Sequence, residues 1–135
     1  LNVHKVTIYT DGAARGNPGP AAIGATIKDE TGNLITSVSR RIGITTNNQA
    51  EYRAIIAALE KAISLGAKHV VLKSDSELAV KQINGRYKIK NSALRPLYQE
   101  VVKLTGSLES VTVSHVPRAR NAEADALANK ALDET

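Results

Sequence analysis

The sequence predicts an α/β fold: a mixed five-stranded sheet with helices on both faces. Three observations predict it. Stretches of period two and stretches of helical period follow one another in the order β-β-β-α-β-α-α-β-α. The first three strands are joined by short loops, so they form an antiparallel meander. Helices separate the later strands, and right-handed crossovers then make the fourth and fifth strands parallel to the first. The chain has 135 residues and 42% of them are apolar, enough for one folded domain over residues 1–135 and too many for a disordered chain.

Val3–Thr10 is the first strand, with Val6 and Ile8 on one face and Thr7 and Tyr9 on the other. It is expected to end at Asp11 and break into the Gly- and Pro-rich loop around Arg15–Pro20. Ala21–Lys28 is the second strand, residues 29–33 are a turn, and Leu34–Ile42 is the third strand. The period then changes. Thr46-Asn47-Asn48-Gln49 has the form of a capping box, Ile55, Ile56, Leu59, Ala62 and Ile63 recur at helical spacing, and Gly66 suits the residue just past the helix. His69–Lys73 is the short fourth strand. Ser74-Asp75-Ser76-Glu77 repeats the capping form before a short helix, Glu77–Ile83. Residues 84–91 make a basic loop. Pro96 suits a first helical turn, with Leu97, Val101 and Leu104 on the buried face. Ser110–Val116 is the fifth strand, Pro117–Arg120 a loop, and Asn121 the expected cap of a last helix running to about Leu132.

Composition narrows the function classes. Cysteine is absent, which excludes disulfides and thiolate-held metals and fits a cytoplasmic location. No stretch is apolar enough to span a membrane, and Val3-His4-Lys5 leads into a strand without a signal-peptide pattern. The net charge of +5 favours a polyanionic partner. Phe, Trp and Met are missing, so the core must be built from Ile, Leu, Val and Ala, and only Tyr9, Tyr52, Tyr87 and Tyr98 offer rings for stacking.

Four carboxylates stand where packing would not choose them. Asp11 ends the first strand, Asp75 follows the apolar fourth, Glu51 lies in the first turns of the long helix, and Asp125 lies one turn into the last. Each has a simpler reading. Asp75 suits an N-cap, Glu51 and Asp125 suit the positive end of a helix dipole, and Asp11 suits a turn before Gly12. Together they point elsewhere, because C-terminal strand ends and nearby helix N-termini are where sites form in such sheets. Crowded carboxylates need protons or cations among them. A donor set of hard oxygens suits Mg²⁺ or Mn²⁺ rather than zinc. A basic protein with such a site suggests phosphodiester chemistry, with two cations about 3.5–4 Å apart.

Tyr9-Thr10-Asp11-Gly12, Gly16-Asn17-Pro18-Gly19-Pro20, Thr46-Asn47-Asn48-Gln49-Ala50-Glu51, Ser74-Asp75-Ser76 and Asn121-Ala122-Glu123-Ala124-Asp125-Ala126-Leu127-Ala128 closely resemble the type 1 ribonuclease H family, in order and over essentially the whole chain. The resemblance implies the ribonuclease H-like fold. It implies an endonuclease that hydrolyses the RNA strand of RNA–DNA hybrids with two Mg²⁺ ions, Mn²⁺ being a substitute, and leaves 5′-phosphate and 3′-hydroxyl ends. Asp11, Glu51, Asp75 and Asp125 match the family's metal-binding carboxylates. Gly12, Asn17, Thr46, Asn47, Asn48 and Gln49 match positions at the nucleic acid, Gly12 by leaving room for the minor groove of the hybrid. Helix-start chemistry is the competing account of Asn47 and Asn48.

The chain departs from the fullest family pattern twice. The stretch from Gln82 to Asn91 leaves no room for the extra basic lobe of many members, so the sequence resembles the compact subgroup. Lys88 and Lys90, with Arg86, are then the expected phosphate contacts, unless the loop is simply solvated. The short Pro117–Arg120 loop also lacks the family's histidine. Arg118, and after it Arg120, is the candidate for the scissile phosphate, and His115 is read as structural. His4 and His69 are expected to carry no function. A hybrid-binding module with lost or weak catalysis is the alternative, disfavoured by the presence of all four acids. The resemblance leaves open whether double-stranded RNA is cut as well. A monomer without membrane contact is expected.

Overall fold

A computed structural model describes residues 3–134. Five strands, β1 (Lys5–Ala14), β2 (Gly19–Lys28), β3 (Leu34–Thr45), β4 (His69–Ser74) and β5 (Ser110–His115), form one sheet in the order β3-β2-β1-β4-β5. The β1–β2 and β2–β3 pairs are antiparallel, and β4 and β5 run parallel to β1, as the crossover argument requires. The helices are α1 (Asn47–Ser64), α2 (Glu77–Ile83), α3 (Arg95–Thr105) and α4 (Ala122–Asp133), with a single 3₁₀ turn at Arg118–Arg120.

The two faces of the sheet are packed differently. Val6, Ile8, Ile27, Val70 and Leu72 meet Tyr52, Ile55 and Leu59 of α1 and Val101 of α3 in the main core. On the other face Ala22 meets Ala131 and Leu132 of α4. Small residues belong there because α4 lies almost on the backbone of β2. A Cβ on Gly24 would overlap the carbonyl of Ala124 and come within 2.6 Å of the Ala128 nitrogen. Side-chain bonds to backbone carbonyls help hold α4 in place. Ser39 Oγ donates to Leu127 O (2.7 Å), Arg41 to the carbonyls of Ala131 and Leu132 (2.9 Å each), and Asn121 Nδ2 to Thr10 O (2.8 Å).

Local signals mostly hold. Thr46 caps α1 by accepting from the Gln49 N–H, but the return half of the box is not made, because Gln49 Oε1 accepts instead from Thr45 Oγ1 at 2.7 Å. At the other end of α1, Gly66 takes φ +94°, with Gly66 N donating to Ile63 O and Ala67 N to Ala62 O. This is a Schellman ending, open to glycine because it has no Cβ.

Several expectations are corrected. β1 does not end at Asp11. Its parallel pairing with β4 stops at Thr10–Ser74, while its antiparallel pairing with β2 continues through Asp11–Gly24 to Ala14–Ala21. β3 likewise runs three residues beyond Ile42 to Thr45. The cap of α2 is Ser76, which accepts from Ala79 N, and neither Ser74 nor Asp75 fills that role. Asn121 makes no side-chain cap. It is 1% exposed and spends its amide on β1 instead. Tyr52 is buried, its hydroxyl donating to Gln82 Oε1 at 2.7 Å, so it offers no ring for stacking.

Candidate metal centre and nucleic-acid interface

The unequal lengths of β1 and β4 create the site. Beyond Thr10, β1 has no neighbour on its β4 side. The backbone N–H of Gly12 would be left without a partner there, and Glu51 Oε1 accepts it at 2.7 Å. That bond brings the first turns of α1 against the strand. It also explains Gly12, whose Cβ would overlap the backbone of Ala50 and Glu51. The missing side chain makes room for α1.

Asp11, Glu51 and Asp75 each present a carboxylate oxygen within 4.8 Å of the others. They line a cleft of about 260 Å³ together with Gly12, Ala13, Asn47, Arg118 and Asp125. Asp125 reaches Asp11 from α4, and Arg118 stands at the rim with its guanidinium 3.9 Å from Asp125 Oδ1. Four acids from β1, α1, the end of β4 and α4 therefore meet in one place, as the sequence predicts.

Their charge is not balanced by the protein alone. Asp11 is held well above the usual carboxylate range, first by burial, then by the charge of Glu51, then by Asp125 and Asp75. Glu51 is also raised by burial, with the Gly12 N–H opposing the shift and Asp75 adding to it. Both carboxyls favour a proton unless another cation takes its place. The donor atoms are all carboxylate oxygens, which fits a hard divalent cation and not a thiol- or imidazole-seeking one.

The remaining predicted residues fall around this cleft unevenly. Asn47 lines it, and its backbone N–H is bound by Asn17 Oδ1 at 3.0 Å, so the Arg15–Pro20 loop is tied to the start of α1. The Asn17–Pro18 peptide bond in that loop is cis. Asn48 is exposed beside Asn47, while Thr46 and Gln49 are engaged in capping. Arg120 is exposed but does not line the cleft. Lys88 and Lys90 are exposed on either side of half-buried Ile89, which packs on the main core. Arg86 is exposed next to them. His115 is exposed at the end of β5, and so is not a packed structural residue. Two supports of the site were not legible in the sequence. Gly24 admits α4, and Asn121 ties the start of α4 to the residue before Asp11. No local pattern marks either.

A protein-family model described as reverse transcriptase-like matches residues 9–131. Ribonuclease HI of Halobacterium salinarum is 44% identical over 130 residues, covering 96% of this chain, and this chain spans 65% of the length of that protein. The crystal structure of the halobacterial RNase H1 superposes with a TM-score of 0.95 over 97% of this chain and 99% of that one. A bifunctional protein of Mycobacterium tuberculosis is also 44% identical over 96% of this chain, which spans 36% of its length. LC11-RNase H1, solved in complex with an RNA/DNA hybrid, is 44% identical with a TM-score of 0.90, covering 95% of this chain and 96% of that chain.

Proposed function

This chain belongs to the type 1 ribonuclease H family, and from that premise we propose that it is a metal-dependent endonuclease cutting the RNA strand of RNA–DNA hybrids. The observation that carries the reading is the convergence of Asp11, Glu51, Asp75 and Asp125 on one cleft. A relative 44% identical, bound to a hybrid in its own crystal structure, supports the choice of substrate.

In this reading the four carboxylates hold two Mg²⁺ ions, or Mn²⁺ in their place. When bound, the ions supply an activated water and Lewis-acid stabilisation of the leaving oxygen, giving 5′-phosphate and 3′-hydroxyl ends. The chain's own residues do the positioning. Glu51 is oriented by the Gly12 N–H through Oε1 and lines the cleft. Asp11 is aimed from within β1, and Asp75 from the residue directly after β4, next to the last paired position Thr10–Ser74. Arg118 has only a long, exposed tie to Asp125, cheap to exchange for a phosphate oxygen. Asn17, Asn47 and Asn48 meet the RNA strand, whose 2′-hydroxyls distinguish it from DNA. Thr46 and Gln49 hold that helix start in shape. Lys88, Lys90 and Arg120 take backbone phosphates. The reading includes a monomer acting in the cytoplasm. Among the described residues no helix is long and apolar enough to cross a membrane.

Purified protein is incubated with labelled RNA–DNA hybrid, double-stranded RNA and double-stranded DNA, each with Mg²⁺, Mn²⁺ or EDTA. The expected result is cleavage of the hybrid's RNA strand with either cation and none in EDTA. The double-stranded RNA arm decides whether that substrate is shared. Asp75→Asn, which keeps the shape and removes a charge, is expected to abolish cleavage with hybrid binding retained. A folded Asp75→Asn protein with near-normal turnover would refute the carboxylate assignment.

A further inference from the structure

The opposite end of the sheet carries a second group of metal-ligating side chains, which hybrid cleavage does not use. His4 immediately precedes β1, His69 opens β4, and Glu109 immediately precedes β5. These are the N-terminal ends of three parallel strands, whereas Asp11 and Asp75 lie beyond the point where β1 and β4 part at the other end. The ligating atoms of His4, His69 and Glu109 all lie within 4.8 Å of one another.

The backbone beneath them is fixed. Lys68 N and His69 N both donate to His4 O, at 2.9 and 3.1 Å, and Glu109 N and Ser110 N both donate to Lys68 O, at 2.8 and 3.2 Å. The trio therefore stands on paired strand ends, which favours a defined ligand geometry. His69 Nε2 lies 3.2 Å from Glu109 Oε2. Two ligands of one tetrahedral zinc, each about 2.0–2.1 Å from the ion, stand about 3.4 Å apart, so this pair already has nearly that spacing. On its far side His69 Nδ1 is 2.7 Å from Ser110 Oγ, the kind of outer partner that fixes the ring of a ligating histidine. The His4 ring meets the His69 ring edge-on, with centroids 4.9 Å apart, and brings a second imidazole to the same point.

We propose that His4, His69 and Glu109 form a zinc site that clasps the starts of β1, β4 and β5, independent of the acidic cleft. Two imidazoles and one carboxylate suit zinc, as the all-oxygen cleft suits Mg²⁺. Three protein ligands leave the fourth tetrahedral position to water. An ion bound to the folded chain alone stabilises it by an amount that grows with the logarithm of the ligand excess over Kd.

The test titrates Zn²⁺ into the full chain by calorimetry, in an excess of Mg²⁺ that competes for the acidic cleft. One zinc per chain and a raised melting temperature are expected. His69→Ala and the exposed Glu109→Gln are each expected to weaken zinc at least tenfold, and Ser110→Ala by about tenfold, the lower end for loss of an outer partner. Melting each variant in EDTA shows that it is folded. Co²⁺ in place of Zn²⁺ is expected to give the intense visible absorption of a tetrahedral site in the wild type and to lose it in His69→Ala. No zinc uptake in excess Mg²⁺, or equal uptake in every variant, would overturn the site and leave a His69–Glu109 hydrogen bond.

Discussion

Gly24→Ala tests whether the α4 contact sets the geometry of the cleft. Gly24 pairs with Asp11 across β1 and β2 and faces α4. Its added methyl would overlap the Ala124 carbonyl, reach 2.6 Å from the Ala128 nitrogen and touch Leu127 Cβ at 3.0 Å. The first two obstacles are backbone atoms, so no rotamer change relieves them. β2 is hydrogen-bonded on both sides and cannot yield, so α4 must back away by on the order of 1 Å to restore ordinary contact. Overpacking of this kind costs about 1–3 kcal/mol, and a backbone clash belongs at the upper end. For a domain of this size that lowers the melting temperature by roughly 10 °C. Asp125 follows Ala124 directly, so the helix carries a cleft carboxylate with it. A misplacement of about 1 Å costs about 100-fold in turnover.

The assay measures thermal melting in EDTA and kcat on labelled hybrid well below the midpoint. Gly106→Ala is the control. Gly106 has a helical φ of −64°, and its Cβ would meet nothing closer than 3.3 Å, so a change within about 0.5 kcal/mol is expected. A Gly24→Ala protein with wild-type melting and turnover would show that α4 does not rest on β2 in this way. Lost stability with unchanged kcat would separate the packing from the position of Asp125.

Three other outcomes are expected. Because Asp11 and Glu51 are raised, the metal-free fold keeps protons that the unfolded chain has released. Its stability should therefore fall as pH rises above about 4, by up to about 1.4 kcal/mol per pH unit for each retained proton, and Mg²⁺ should offset the loss. Below about pH 4 the lowered carboxyls of Asp29 and Glu77 act in the opposite sense. Melting in EDTA from pH 5 to 8, repeated with Mg²⁺ at constant ionic strength, checks this, and a flat profile would contradict the crowded-acid account. Arg118→Ala should lower kcat far more than it raises KM, because a guanidinium on the phosphate is worth most as charge builds in the transition state; a change in KM alone would make it a docking residue. Lys88→Ala with Lys90→Ala should flatten the slope of log K against log salt by one to two units, at about 0.7–0.9 per lost phosphate contact, with kcat kept at saturation. An unaltered slope would return this segment to a solvated basic turn.

The sequence by itself determined the element order and which acids gather at the main site. Alternation in β1, helical spacing in α1 and α3, and the Thr46 and Gly66 signals are local, and local backbone preference is what periodicity reports. Asp11, Glu51, Asp75 and Asp125 were legible because acids at the margins of apolar elements conflict with local packing, and such conflicts mark sites. Tertiary structure decided what depends on the offset between distant segments. β1 runs past Asp11 because β2 continues to pair with it after β4 has stopped, and that mismatch is what presents the Gly12 N–H to Glu51. The need for glycine at positions 12 and 24 comes from helix backbones far away in sequence. Asn121 reads as an ordinary cap until the fold places Thr10 O beside it. His4, His69 and Glu109 have no common pattern along the chain. They meet because parallel register lines up the starts of three strands, and register is set by long-range pairing that no local window contains.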